Sequence, residues 1–119
     1  MSKALYTAMG IVDAKVLDYV MENQHLLPNQ LRINTNHMSH IISVGQSIMR
    51  TKWDIGYPGG SFARAVVDNN LGNTYAFADE IIREAIYLYV VMIKNMDMPI
   101  EIWNYKKNSN KSVATEEKL

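Results

Sequence analysis

The chain has 119 residues, 48% of them hydrophobic, with 12 basic and 12 acidic side chains and no cysteine. That length predicts one domain with a modest core, and the lack of cysteine excludes disulfides, thiolate metal sites and cysteine nucleophiles while fitting a reducing cytoplasm. A formal net charge of zero argues against broad affinity for DNA, which needs a surplus of Lys and Arg facing phosphates, yet leaves room for a small anionic ligand held by a few local cations.

Lys3 leads into a mixed sequence in place of a continuous apolar signal core, and no stretch reaches the ~18 apolar residues that span a bilayer, so the expected place of action is the cytoplasm. Over residues 3–23, Leu5, Met9, Val12, Val16, Val20 and Met21 recur at helical spacing and predict an amphipathic helix. Gly10 inside it costs about 1 kcal/mol relative to alanine. The competing reading makes residues 11–17 a strand and the fold α+β with a small N-terminal β element. Residues 23–36 hold Pro28 and four asparagines and read as a connection with a short turn around Leu26 and Leu31. Asn36 is placed to cap a second helix from residue 37 to about 53, with Met38, Ile41, Ile42, Ile48, Met49 and Trp53 as its apolar set.

A bend follows. Pro58 fixes its own φ and pushes Tyr57 out of the helical region, while Gly59 and Gly60 can take positive φ freely. Ser61 is a candidate N-cap for a helix beginning at Phe62, and Gly72 with Asn73 would stop that helix and cap the next. Residues 74–96 then read as the longest helix. Ala78, Ile82, Ala85, Tyr89, Met92 and Met96 make one apolar stripe, and Ile81, Leu88 and Val91 a second, which predicts a contact with another subunit. Pro99 stops it, residues 100–105 are a short apolar segment that can fold back as cover, and residues 106–119 lack the apolar content to pack, predicting a disordered tail after a helical domain over residues 1–105.

Few residues point to chemistry. His37 and His40, three apart on a helix, could share a metal but lack an obvious third ligand, and Ser61, His40 and Asp68 sit in no nucleophile-elbow context, so neither metal, cofactor nor catalysis is expected. Gly59, Gly60 and Ser61 place successive N–H groups ahead of a helix, as anion sites do, without a Walker or dinucleotide-fold pattern around them. Arg50 and Lys52 lie just before the bend and Arg64 just after it. Together with Trp53 and Phe62 they could pair phosphates and stack bases, while Asn69 and Asn70 could close the helix or read a base edge.

The run Gly56-x-Pro58-Gly59-Gly60-x-Phe62, then Ala65-Val66, Asn69-Asn70-Leu71, Ala78-Asp79, and an ending over residues 99–103 that holds Pro99 and Trp103, resembles the helical hairpin domain of phage anti-CBASS and anti-Thoeris sponges. Those proteins bind bacterial immune nucleotide signals and withhold them from their effectors. The similarity covers roughly residues 47–106. It implies an all-α hairpin with a helix kinked at the Pro-Gly-Gly bend, a homo-oligomer that on the family pattern is a hexamer, and pockets between subunits. It also implies a cyclic di- or trinucleotide or a cyclic ADP-ribose isomer as ligand, bound without cleavage in the cytoplasm of an infected bacterium. The alternative is a phage inhibitor that docks an apolar helix face on a host protein.

Overall fold

The computed structural model describes residues 2–117, with side chains described for residues 2–109. Among the described residues every regular element is helical and no strand is present, so the fold is all-α.

The central helix of the fold is α3, Thr35–Trp53. Its cap is Asn34, not Asn36: the Asn34 backbone is extended and its side-chain oxygen accepts from the His37 N–H at 3.0 Å. The earlier asparagine is free to take this non-helical geometry, because the preceding short helix α2, Asn29–Arg32, has already ended. Met38, Ile41, Ile48, Met49 and Trp53 are buried along α3.

Helix α1, Lys3–Glu22, is capped by Ser2, whose hydroxyl accepts from the Leu5 N–H at 3.1 Å. Ala8, Val12, Val16 and Val20 bury one face of it, and residues 11–17, the alternative strand, lie inside this unbroken helix. Gly10 leaves the helix uninterrupted. The α1 and α3 helices run antiparallel, with Met9 against Gly56, Asp13 bonded to Arg50 and Val16 against Gly45. A 3-10 turn at Gln24–Leu26 and α2 join them, burying Leu27 and Leu31.

Asp54 ends α3 in the left-handed conformation (φ 55°), and the Ile55 N–H reaches back to the Arg50 carbonyl at 2.9 Å. Ile55 is itself fully buried, the apolar contact that accompanies such an ending. Positive φ within the bend falls at Gly56 (75°), not at Gly59 or Gly60. Gly59 is needed for another reason: an added Cβ would lie 2.5 Å from Ser47 Oγ and 2.6 Å from Ala63 Cβ. Its absent side chain is what lets α3 approach α4, Ser61–Val67.

Gly60, not Ser61, occupies the N-cap position of α4 and supplies no side-chain bond, while Ser61 is its first helical residue. The stop comes earlier than Gly72. Asn69 takes φ 58°, the Asn70 N–H bonds the Ala65 carbonyl at 2.9 Å, and Asn70 Oδ1 accepts from the Asn73 N–H at 3.1 Å. So Asn69 closes α4 and Asn70 opens α5, Leu71–Phe77, because asparagine tolerates the left-handed region and its short side chain can cap.

The single helix expected over 74–96 is three: α5, α6 at Glu80–Arg83 and α7 at Ile86–Asn95. Ala78 and Asp79 are extended, and Asp79 Oδ1 accepts from the Ile82 N–H at 2.8 Å, a capping bond that competes with helix continuation. The second apolar stripe is also largely consumed within the protomer. Leu88 is fully buried and Ile81 and Val91 half-buried, because α7 packs on both α3 and α4. That stripe therefore gives no reason by itself for a second subunit.

After α7, residues 96–99 turn the chain into α8, Ile100–Glu117. Ile102 is buried, Tyr105 is half-buried and Lys106 Nζ donates to the Trp53 carbonyl at 2.7 Å, so the segment at 100–105 does cover the core, as a helical turn packed on α1. The helix continues to Glu117 where composition predicts a disordered tail. Its first turns are anchored by packing, and Lys, Ala and Glu propagate a helix at little cost once it has started. Residues 118–119 lie outside the described residues.

Candidate functional site

The residues expected to bind a ligand divide into four groups. Arg50 and Lys52 are engaged within the chain. Arg50 makes a two-pronged, partly buried pair with Asp13 of α1, one arm at 2.8 Å, and Lys52 Nζ donates to the Ile93 carbonyl at the end of α7. A cation at a helix C-terminus satisfies carbonyls left without intrahelical partners, which is the use made of Lys52 here and of Lys106 at the end of α3. Trp53 is 4% exposed and belongs to the core. Asn69 and Asn70 are spent on the helix ends described above.

The fourth group stays together. Gly59, Gly60, Ser61, Phe62 and Arg64 surround the start of α4, where Gly60, Ser61 and Arg64 are exposed. The Gly59 N–H donates to Thr51 Oγ1 at 2.8 Å, so it is not available to a ligand, whereas the first-turn N–H groups of α4 have no side-chain cap. Phe62 packs edge-on against buried Tyr89, with ring centroids 6.0 Å apart. Tyr89 in turn donates from its hydroxyl to the Ile41 carbonyl at 2.8 Å, and burial pushes its pKa far up.

Beside this turn is an open cavity of about 190 Å³. Val44 and Ser47 of α3, Gly60, Phe62 and Ala63 at the start of α4, and Phe77, Asp79 and Ile82 around the α5–α6 break form its walls. The two stretches of sequence that carry the resemblance, the bend and the Ala78-Asp79 pair, thus meet at one place. A larger cleft of about 930 Å³ lies between α1 and α8, lined among others by Lys3, Thr7, Asn104 and Tyr105, and contains none of the expected binding residues.

Asp79 is the residue at the smaller cavity that the sequence reading left without a role. His40 Nε2 lies 2.8 Å from its Oδ2, tying α3 to the start of α6. Burial raises its pKa, but hydrogen bonds from the Ile82 N–H, from His40 and from the Ile81 N–H, with the charge of His40, outweigh this and leave it below the usual carboxylate range. A group depressed on folding stabilises above its unfolded pKa of about 3.9 and loses that contribution as pH falls through the lower folded value. Asp79→Ala is therefore expected to cost about 1 kcal/mol at neutral pH, mostly as a lost cap, and the difference from the parent should shrink below about pH 4. Thermal melts of the two proteins from pH 7 to pH 3 measure it; a constant gap would refute the ionised cap. Among the described residues no three His, Cys, Asp or Glu side chains stand together as a metal-binding group. Among the same residues no helix is long and apolar enough to cross a membrane.

No protein family, curated protein or solved structure was found to match the chain.

Proposed function

We propose that the chain binds a cyclic oligonucleotide or cyclic ADP-ribose type signal and holds it without cleavage, as an anti-defence sponge in the cytoplasm of an infected bacterium. The observation that carries this reading is the convergence of Gly60, Phe62 and Asp79, from both parts of the resembling pattern, on one cavity. Phe62 and Phe77 offer faces for a base, Asp79 and Ser47 polar groups for a base edge, and exposed Arg64 with the uncapped α4 N–H groups a partner for phosphate. A cavity of about 190 Å³ admits part of such a ligand, since pockets enclosing drug-sized molecules run to about 300–1,000 Å³. A second copy of the chain completes the site in this reading.

Native mass spectrometry and thermal shift with a panel of cyclic di- and trinucleotides and cyclic ADP-ribose isomers test it. At a hundred times Kd a ligand bound only to the native state adds about 2.7 kcal/mol, a shift that is easily read. Stabilisation by none of the panel would end the proposal. Since Arg50 and Lys52 are already paired within the chain, replacing both by alanine is expected to lower stability by about 1–2 kcal/mol and change affinity less than Arg64→Ala does. Calorimetry on the folded variants gives the comparison, and a larger affinity loss from the double variant would move the site back before the bend.

Docking of an apolar helix face on a host protein is the second reading. The exposure of Tyr87 and Val90 on α7 and of Trp103 on α8 favours it.

A further inference from the structure

Helix α1 carries a second apolar stripe that the fold leaves uncovered. Its core face uses Ala8, Val12, Val16 and Val20. On the outward side, Tyr6, Gly10, Ala14, Leu17 and Met21 follow at spacings of four, four, three and four, which puts them in one band along the helix. Tyr6 is 62%, Leu17 43% and Met21 46% exposed, and Ala14 is exposed as well. At the middle of the band a side chain on Gly10 would meet nothing within 4 Å. Glycine there costs helix stability, and no neighbour among the described residues requires it. What a missing side chain does provide is close approach for another backbone.

We infer that this face pairs with the same face of a second copy, the two α1 helices lying antiparallel with Gly10 of one crossing Ala14 of the other. The charge pattern selects this occupant. Lys3 lies at the N-terminal end of the band, and Asp18 and Glu22 lie along one edge of its C-terminal end, the edge that also borders residues 96–99. An antiparallel crossing at positions 10 and 14 brings position 3 of one helix opposite position 21 of its mate, so Lys3 falls between Asp18 and Glu22 at both ends. Tyr6 then faces position 18, within reach of a carboxylate for its hydroxyl. Helix dipoles are opposed in the same arrangement, whereas a parallel pair would set like ends and like charges together. A twofold contact of this kind is self-complementary, using one patch twice.

The pairing rests on no part of the nucleotide reading, and its test contains no nucleotide. Light scattering of the full chain at micromolar concentration should give twice the 13.6 kDa of one chain, or an even multiple of it. Gly10→Gln should halve that mass while melting no lower as a fold, because glutamine favours helix and points into open space. Lys3→Glu should weaken the dimer at low salt, and Lys3→Glu with both Asp18→Lys and Glu22→Lys should restore it. A parent of 13.6 kDa, or a Gly10→Gln variant of unchanged mass, would overturn the inference, as would a charge exchange that fails to restore association.

Discussion

Trp53→Ala is expected to remove about 3–5 kcal/mol of stability, the range found for truncating buried aromatic side chains. Small domains hold about 5–15 kcal/mol in all, so the loss should move the denaturant midpoint by about a fifth or more. The side chain is 4% exposed at the last turn of α3, within the same core as fully buried Ile55, and its carbonyl is the acceptor for Lys106. Alanine leaves a void between elements already fixed by the Asp54 ending of α3 and by the anchored first turns of α8, and such a site collapses poorly. Chemical denaturation followed by circular dichroism measures the change. A base-stacking platform would behave otherwise, leaving the midpoint in place and lowering ligand affinity, so an unchanged midpoint would return Trp53 to the ligand site.

Gly59→Ala should cost about 1–3 kcal/mol, the usual penalty for forcing a methyl group into a filled space. The new Cβ would lie 2.5 Å from Ser47 Oγ, 2.6 Å from Ala63 Cβ and 2.9 Å from Thr51 Oγ1. Ser47 can turn its hydroxyl away at the loss of its place beside the cavity. Ala63 cannot move without its helix, so α4 must back off from α3 and weaken the Phe62 contact with Tyr89 and the bond from Gly59 to Thr51. Gly60→Ala is the control: nothing lies within 4 Å of its added Cβ and its φ of −72° suits alanine. Calorimetry should show the Gly59 variant melting about 4–12 °C below the parent and the Gly60 variant within about 2 °C of it. Equal shifts for the two would mean that backbone freedom, not close approach, is what the pair supplies.

Periodicity and local turn chemistry made the all-α class and most of the α1 and α3 core stripes legible in the sequence, although Met21, counted in the α1 stripe, is 46% exposed and Ala8, not counted in it, is buried. They also identified the bend after Trp53 and the alternative of Asn69 and Asn70 as helix closers, because each depends on residues a few positions apart. The single helix over 74–96 failed for a local reason with a distant partner: Asp79 captures the Ile82 N–H and is itself held by His40, 39 residues away. The burial of Leu88 was equally unreadable, since two apolar stripes look alike whether the second helix that covers one belongs to the same chain or to another copy. Arg50, Lys52 and Trp53 show the same limit at the candidate site. Sequence places two cations and an aromatic beside a bend, but whether a cation is free for a phosphate depends on what reaches it first. Here that is Asp13, brought in by the antiparallel packing of α1 on α3, and the Ile93 carbonyl, brought in by α7. Spacing along a chain determines which face of a helix a residue joins; only the packing of helices distant in sequence decides whether that face meets a carboxylate, a carbonyl, an apolar core or solvent.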